Sequence, residues 1–348
     1  MLKKLIAVLL FACLALLPVC SLADGTLNVF NYGEYIDEQV LYNFEKEFGV
    51  KINYSLNSNP EEMYTKLQTG VSFDVVVTSD YMIDRLIKEE RILPLDKSVV
   101  TNLDQLDESM KGLYFDPDNT YSAPYLWQNV VLCYDTTKIN PEDVEEKGWD
   151  ILLDPALDGH AFIYESPRDV FMMAFKALGY SANTDNPDEL QAAYEWLVKM
   201  KQTIHPSFVT DEMIDGMAQG EKWIAMMYSG DAAFASMENE KLAVWAPEQG
   251  TNIAIDCMFI PSNAANPELA NQFINYVLDY DNAMMITVET CYTSPNAKVL
   301  EEVTSPGGEF DGVEGYLPRS GYEKDEIYQY VKLLQEETPQ LLIKVKMQ

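Results

Sequence analysis

Carboxylates and tyrosines at the ends of apolar segments are the residues best suited to chemistry in this sequence. The apolar segment that begins at Leu27 ends in Tyr32, Gly33, Glu34 and Tyr35. Aromatic faces attract cations and carboxylates pair with them, so this group is typical of a site for a positively charged, partly apolar ligand. The alternative is an ordinary strand-to-helix turn, in which the tyrosines pack and Glu34 is solvated.

Asp256 lies inside an apolar segment, Ile253–Ile260, and strand alternation places it on one face with Ala254 and Met258. An unpaired buried carboxylate costs several kcal/mol unless it meets a cation, hydrogen-bond donors or water. The residues on either side of Asp256, 246–255 and 257–266, include no basic residue. A ligand ammonium is therefore one candidate partner, and an internal salt bridge or a water-filled notch are the others.

Three further apolar segments end in similar corners: Ser79, Asp80 and Tyr81; Glu165 and Ser166 with Asp169; and Tyr228 with Asp231. Each of these acids also has a plainer interpretation, as a helix N-cap or as a first-turn residue favoured by the helix dipole. Together the corners suit a linear polyamine, because its ammonium groups pair with carboxylates and its methylene chain packs against aromatic rings.

Residue sets that support catalysis are nearly absent. The two histidines, His160 and His205, have no partners at metal-ligand spacing, and there is no nucleophile elbow, phosphate-binding loop or dinucleotide fingerprint. We expect no metal and no cofactor. Three cysteines follow residue 23, which is too sparse a set for a disulfide framework, although a Cys257–Cys291 bridge is left open.

The charge balance limits the partners. The chain has 56 acidic and 24 basic residues, for a formal net charge of −32. Such a chain should repel nucleic acid and anionic lipid, and the acidity favours cations or serves solubility in general.

The N-terminus has the three parts of a secretory signal. Lys3 and Lys4 precede an apolar run, Leu5–Leu17, and Ser21-Leu-Ala23 follows as a cleavage site. We predict a signal peptide over residues 1–23 and a periplasmic or extracytoplasmic location. Lipid attachment at Cys20 is the alternative, and it would tether the protein.

Strands and helices alternate in the first part of the chain. A strand from Leu27 leads to a helix near Asp37–Phe48, and a strand over Val50–Leu56 leads to a helix that begins at Asn59-Pro60. The apolar run Phe73–Asp80 is typical of a strand buried on both faces. This order predicts a parallel sheet covered by helices.

Later segments extend the pattern. Asn186-Pro187 and Asn266-Pro267 predict two more helix starts, and Trp223–Tyr228 predicts a strand, as does the segment around Asp256. The long apolar run Tyr125–Tyr134 is suited to cross between two lobes.

Seven segments of the chain carry a resemblance to a known family. They are Phe30-Asn-Tyr-Gly-Glu-Tyr35, Asp74-Val-Val-Val-Thr-Ser-Asp-Tyr81, Ala123-Pro-Tyr-Leu-Trp127, Arg168-Asp-Val-Phe171, Leu178-Gly-Tyr-Ser181, Ser229-Gly-Asp231 and Glu289-Thr-Cys-Tyr-Thr-Ser-Pro-Asn296. These segments resemble those of periplasmic spermidine/putrescine-binding proteins, the substrate-binding subunits of polyamine ABC importers. Their order and spacing extend the resemblance over nearly all of the chain after residue 23.

The resemblance implies a ligand-binding set, which is Tyr32, Glu34, Tyr35, Ser79, Asp80, Tyr81, Glu165, Ser166, Asp169, Tyr228, Asp231, Asp256 and Tyr292. Tyr32 and Tyr228 stand where the family commonly has tryptophan, and Ala254 stands at an aromatic position. An acid found in some members near Ser166 is also missing here. These departures leave the choice between putrescine and spermidine open.

The resemblance also implies the fold class, an α/β, two-lobed periplasmic-binding-protein fold of type II. Each lobe should have a central, mostly parallel sheet flanked by helices, with a hinged cleft between the lobes. We expect residues 26–131 and 261–305 in the first lobe, and residues 132–260 and 306–348 in the second.

The implied function is a monomeric, non-enzymatic receptor that captures a polyamine and delivers it to the permease of an ABC importer. One alternative keeps the fold but changes the ligand to another organic cation or an amino acid. A second alternative is a secreted glycosidase, because acids and aromatic residues in a cleft also suit sugar hydrolysis.

Overall fold

The structure is a computed structural model that describes residues 25–319 and 321–348. The signal peptide predicted over residues 1–23, and Cys20 within it, lie outside the described residues. Within the described ranges, none of the helices has the length and apolar character of a membrane-spanning segment.

Strands and helices alternate through most of the chain. The strands are β1 (Thr26–Tyr32), β2 (Lys51–Asn57), β3 (Val75–Ser79), β4 (Ile92–Leu93), β5 (Ser122–Gln128), β6 (Val130–Asp135), β7 (Ala161–Tyr164), β8 (Ser207–Val209), β9 (Ile224–Tyr228), β10 (Leu242–Trp245), β11 (Asn252–Pro261) and β12 (Glu326–Ile327). The α-helices are α1 (Glu38–Phe48), α2 (Pro60–Gln68), α3 (Asp80–Lys88), α4 (Pro141–Lys147), α5 (Pro167–Ala177), α6 (Pro187–Ile204), α7 (Glu212–Ala218), α8 (Ser229–Glu238), α9 (Pro267–Val277), α10 (Tyr280–Thr290), α11 (Ala297–Thr304) and α12 (Lys332–Lys346).

The strands form two sheets. The first has the order β12-β11-β3-β1-β2, with β4 and β5 also paired to β11, and the second has the order β10-β6-β9-β7-β8. The predicted parallel pairing is present in β2-β1-β3 and in β9-β7-β8. Antiparallel pairs of β11 with β3, β4 and β5, and of β6 with β9 and β10, make both sheets mixed rather than mostly parallel.

The chain crosses between the sheets within the predicted segment Tyr125–Tyr134. Strand β5 ends at Gln128 in the first sheet, and β6 begins at Val130 in the second. The return crossing lies between β10 and β11, so residues 252–260 belong to the first sheet. The boundary predicted at residue 260 is therefore displaced, because the apolar alternation of β11 identifies a strand but not the sheet that it joins.

Helix ends follow the predicted signals. Asp37 caps α1, Gly49 ends it in the left-handed region with φ of 66°, and the Asn59 side chain accepts a hydrogen bond from the backbone N–H of Glu62 at 2.9 Å. Helix α9 begins after Asn266 as predicted, but that side chain donates to the carbonyl of Thr26 instead of capping the helix.

The described cysteines are buried thiols. Cys133, Cys257 and Cys291 are unpaired, so the bridge between Cys257 and Cys291 that the sequence left open is not formed. Burial raises the pKa of the Cys133 and Cys291 thiols to about 12. Stability in the described part of the chain therefore comes from packing and hydrogen bonds rather than from covalent cross-links.

Asp74 shows how a buried carboxylate serves the fold. It is fully buried just before β3 and accepts hydrogen bonds from the backbone and side-chain amides of Asn28 at 2.8 and 3.0 Å. It also accepts the backbone N–H of Asn266 at 2.7 Å. One side chain thus connects β1, β3 and the start of α9.

Replacing Asp74 with Ala should lower the free energy of unfolding by about 3 kcal/mol, because it leaves buried N–H groups without an acceptor. Urea unfolding measures the loss. Asp74→Asn, which keeps one oxygen acceptor, should cost clearly less. Equal losses for the two variants would contradict this role.

Candidate functional site

A cavity of about 200 Å³ lies between the two sheets. The first sheet contributes the ends of β1, β2 and β3, and the second contributes the ends of β7 and β9 with the starts of α7 and α8. The lining residues are Tyr32, Gly33, Glu34, Tyr35, Leu56, Asn57, Ser58, Asn59, Pro60, Ser79, Gln128, Tyr164, Thr210, Asp211, Ile214, Tyr228, Asp231, Asp256 and Tyr292.

The charged side chains that line the cavity are all acidic. The lining includes four carboxylates, from Glu34, Asp211, Asp231 and Asp256, and no Lys, Arg or His among the described residues that form it. Asp231 and Asp256 are buried, so solvent screens their charges weakly, whereas Glu34 and Asp211 are exposed. The cavity is therefore suited to a cation and unsuited to an anion.

Asp256 is 2% exposed and is held by neutral donors. It pairs with Ser79 across the β11–β3 ladder, and its carboxylate accepts the Ser79 hydroxyl at 2.7 Å, the Tyr35 hydroxyl at 2.7 Å and the Gln128 side-chain amide at 3.4 Å. Burial raises the pKa of Asp256 from 3.8 to about 6, while the hydrogen bonds from Ser79 and Tyr35 oppose that shift. Among the described residues, no basic side chain compensates the charge of this buried acid.

Asp231 lies in the first turn of α8, and Tyr228 occupies the cap position, so the N-cap interpretation of Asp231 is wrong. Its carboxylate accepts the Tyr292 hydroxyl at 2.8 Å. Burial raises the pKa of Asp231 to about 7, and the charges of Asp211 and Glu34 add to the shift. These three acids therefore form one cluster.

Two tyrosines connect the acidic groups. Tyr35, which donates to Asp256, and Tyr292, which donates to Asp231, meet edge to face with ring centroids 4.7 Å apart. The result is an aromatic wall with a carboxylate at each end. Such a wall suits an apolar chain that carries a positive charge at both ends.

The second sheet supplies another aromatic pair. Tyr164 ends β7 and Tyr228 ends β9, two parallel neighbours, and their ring centroids are 4.6 Å apart. The Tyr228 hydroxyl donates to Asp169 at 2.8 Å. Both rings line the cavity, whereas Asp169 lies behind Tyr228.

The two lobes meet at Gly33 and Asp211. A β-carbon on Gly33 would lie 3.0 Å from a carboxylate oxygen of Asp211, so glycine permits this close approach. Glu34, the next residue, has a left-handed backbone with φ of 46°, which is strained for a residue other than glycine. Burial raises the pKa of Asp211, and the charge of Glu34 raises it further.

Several buried polar atoms of the lining have no hydrogen-bond partner within the described protein. They are the Tyr32 hydroxyl, both polar atoms of the Asn57 side chain and the Gln128 side-chain oxygen. Buried polar groups normally find partners, so these atoms are available to a polar ligand. The oxygens among them are further acceptors for an ammonium group.

Eight of the thirteen residues in the predicted set line the cavity, namely Tyr32, Glu34, Tyr35, Ser79, Tyr228, Asp231, Asp256 and Tyr292. The other five, Asp80, Tyr81, Glu165, Ser166 and Asp169, do not.

The five residues outside the cavity have other contacts. The Asp80 carboxylate accepts the backbone N–H of Ile255 at 3.1 Å, and the Tyr81 hydroxyl donates to Glu61 at 3.0 Å. Glu165 pairs with Lys346. Ser166 caps α5 through the backbone N–H of Asp169, and Asp169 binds two tyrosine hydroxyls.

The predicted set lacks the lining residues Tyr164, Asp211, Gln128 and Asn57. Tyr164 carried the expected signal, because it ends an apolar strand immediately before Glu165. Asp211 carried none, since it follows β8, a three-residue strand of intermediate burial with no clear apolar run.

A glycine sets the position of Tyr292. A β-carbon on Gly230 would lie 2.7 Å from Cγ of the Tyr292 ring. Gly230→Ala should therefore displace Tyr292 from Asp231 and lower the free energy of unfolding by about 1 to 3 kcal/mol. Urea unfolding measures this loss. In a Tyr292→Leu background the same substitution should cost much less, and additive losses would contradict the contact.

The raised pKa values predict a pH dependence. Asp256 and Asp231 bind protons more tightly in the folded protein than in the unfolded chain, so their contribution to stability is complete below about pH 4 and is lost as pH rises through about 6 and 7. We compare the free energies of unfolding of the wild type and of Asp256→Asn without ligand, because the contributions of the other titrating groups cancel in the difference. From pH 4.5 to pH 7.5 the free energy of unfolding of the variant should rise by about 1 to 3 kcal/mol relative to that of the wild type. A difference that is independent of pH would contradict the assignment.

Comparison with known proteins identifies the family and the fold of the chain. The model of the bacterial extracellular solute-binding protein family matches residues 39–308. The spermidine/putrescine-binding periplasmic protein of Salmonella typhimurium is 36% identical over 275 residues, which cover 78% of each chain. The putrescine/cadaverine-binding protein of Pseudomonas aeruginosa is 32% identical over 311 residues, or 86% of this chain and 87% of that one.

A solved structure has a similar fold. A spermidine/putrescine ABC transporter structure from Listeria monocytogenes matches with a TM-score of 0.85 and 34% identity, over 92% of this chain and 99% of that one. The predicted two-lobed α/β fold is confirmed. The chain belongs to the family of bacterial extracellular solute-binding proteins.

Proposed function

We propose that this protein is an extracytoplasmic receptor that captures a polyamine between its lobes and delivers it to the permease of an ABC importer, without catalysing a reaction. The observation that carries the proposal is the cavity lining, with four carboxylates, tyrosine walls and no basic side chain among its described residues. The names of the Salmonella, Pseudomonas and Listeria relatives support the same ligand class.

The arrangement matches the two chemical parts of a polyamine. Asp256 takes one ammonium group, and the cluster of Asp231, Asp211 and Glu34 takes another. Tyr35 and Tyr292 lie between them and pack against the methylene chain.

The expected interaction energies are large enough for micromolar binding. A carboxylate–ammonium contact is worth about 4 kcal/mol at an effective dielectric constant near 20, before desolvation is subtracted. Each cation–π contact adds about 0.5 to 2 kcal/mol. Two such ends with aromatic packing reach about −8 kcal/mol, which is micromolar binding.

The alternative ligands fit less well. An amino acid brings a carboxylate, which would face Glu34, Asp211, Asp231 and Asp256 with no basic lining residue to pair with it. A glycosidase needs one carboxylic acid and one carboxylate placed across a sugar ring. Asp256 and Asp231 instead lie at the two ends of a tyrosine wall, and membership in a solute-binding family favours binding over turnover.

Calorimetric titration with putrescine, cadaverine, spermidine and spermine at low salt tests the proposal. At least one amine should bind with a dissociation constant of about 1 μM. Asp256→Asn should weaken that binding at least about tenfold, because a buried charge pair is lost. The melting temperature of the ligand-free variant should be unchanged or raised.

Glu165→Gln is the matched control, because Glu165 pairs with Lys346 outside the cavity, and it should leave the affinity unchanged. The polyamine proposal fails if no amine binds tighter than millimolar. A large loss of stability in Asp256→Asn would show that Asp256 is a structural acid instead.

A further inference from the structure

Gln128 is a cavity residue that lies beside Asp256. It is the last residue of β5, and it stands directly opposite Ala254 of β11 in the antiparallel ladder. Side chains opposite each other in such a ladder share one face of the sheet, and Asp256, two residues after Ala254, shares that face too. Because Ala254 is small, the longer side chain of Gln128 has room to reach across to Asp256.

The hydrogen bond to Asp256 orients the amide group of Gln128. The side-chain nitrogen donates to a carboxylate oxygen of Asp256 at 3.4 Å. The reverse orientation would place the amide oxygen against an ionised carboxylate, which has no proton to donate. Gln128 is 5% exposed, and its side-chain oxygen has no hydrogen-bond partner within the described protein. A buried acceptor without a partner therefore lies next to the acid that is proposed to take an ammonium group.

The capacity of Asp256 to accept hydrogen bonds is largely used within the protein. An ionised carboxylate offers about four lone-pair positions, and Asp256 already accepts hydrogen bonds from Ser79, Tyr35 and Gln128. About one position remains for a ligand. A primary ammonium group has three N–H donors, so in a buried site it needs further acceptors besides Asp256.

Two neutral oxygens of the lining can supply these acceptors. One is the side-chain oxygen of Gln128, and the other is the hydroxyl of Tyr32, which is also buried without a partner within the described protein. The charge of Asp256 acts on this hydroxyl, since it adds to the larger effect of burial in raising the pKa of Tyr32. Methyl groups on the nitrogen of a ligand would bring no donor to either oxygen.

We propose that Gln128 is a specificity-determining residue, which selects a primary ammonium group at Asp256 over an N-methylated one. This inference rests on the proposed polyamine function. The carboxylate of Asp256 compensates the charge of the ligand, and the oxygen of Gln128 accepts one of its N–H donors. A tertiary ammonium group has the same charge but a single N–H donor, which Asp256 takes, so the oxygen of Gln128 stays buried without a partner.

Calorimetry with putrescine and with N,N,N′,N′-tetramethylputrescine, which keeps both positive charges, tests the inference on the wild type. Putrescine should bind at least about tenfold more tightly, as expected when hydrogen bonds to a charged group are lost. This ratio is measured without any substitution, so it does not depend on how a variant folds.

Gln128→Met removes the amide oxygen but nearly keeps the length of the side chain. It should weaken the binding of putrescine at least about fivefold and change that of tetramethylputrescine little, so the ratio of the two affinities falls. The size of the methyl groups and the donors lost at the other end of the ligand cancel, because both proteins are titrated with the same two ligands.

Gln191→Met is the matched control, because it makes the same change on the exposed surface of α6, where Gln191 donates to Glu195. It should keep the ratio of the wild type. If Gln128→Met does not fold, Gln128→Asn, which withdraws the amide by one methylene, replaces it.

The outcomes separate the two proposals. Wild-type protein that binds both amines equally overturns the selection by Gln128 and leaves the receptor function intact. Wild-type protein that binds no polyamine overturns both. A folded Gln128→Met protein that keeps the ratio of the wild type overturns the role of Gln128, because a merely structural side chain would affect the two ligands in equal proportion.

Discussion

The proposed cation site depends on the burial of Asp256 and Asp231, which have no basic side chain beside them among the described residues. Neutral donors, from Ser79, Tyr35 and Tyr292, reduce the cost of burying these carboxylates but do not cancel their charge. Asp74, by contrast, has backbone and side-chain amides on its oxygens and joins three elements of the first lobe. The hydrogen-bond partners of a buried acid thus distinguish a structural carboxylate such as Asp74 from the carboxylates proposed to bind a cation.

Tyrosine performs two roles in this arrangement. Its ring forms a wall against which an apolar chain can pack, and its hydroxyl donates to a carboxylate. Tyr35, Tyr228, Tyr292 and Tyr328 each donate to a buried aspartate. Walls and acids are therefore positioned by the same side chains, and a change to one tyrosine alters both the shape of the cavity and the placement of a charge.

Much of the site was predictable because strand ends converge. The corners at Tyr32 and Tyr228, and Asp256 within β11, stand at recognisable places in apolar segments, and the sheets bring them together. Asp211 follows a short, half-buried strand and left no such signal. The sequence also could not show that Asp169 accepts hydrogen bonds from two tyrosines. The local pattern of a helix start does not indicate which distant residues its first turn contacts.

The helix starts of the fold were predictable from the sequence, but the pairing of its strands was not. Capping residues such as Asp37 and Asn59 marked helix starts correctly, since capping is a local interaction between a side chain and the next turn. The sheet joined by β11 is decided by pairing with β3 and β5, which are distant in the sequence. Long-range pairing of this kind leaves little trace in the order of apolar residues.

The contact between Gly33 and Asp211 has an energetic consequence for the approach of the two lobes. Glu34 belongs to one lobe and Asp211 to the other, so their like charges oppose that approach. The polyamine proposed above would place positive charge between them and remove this opposition. Under that proposal ligand charge and lobe approach are thermodynamically linked, and by reciprocity whatever holds the lobes together also tightens the hold on the cation.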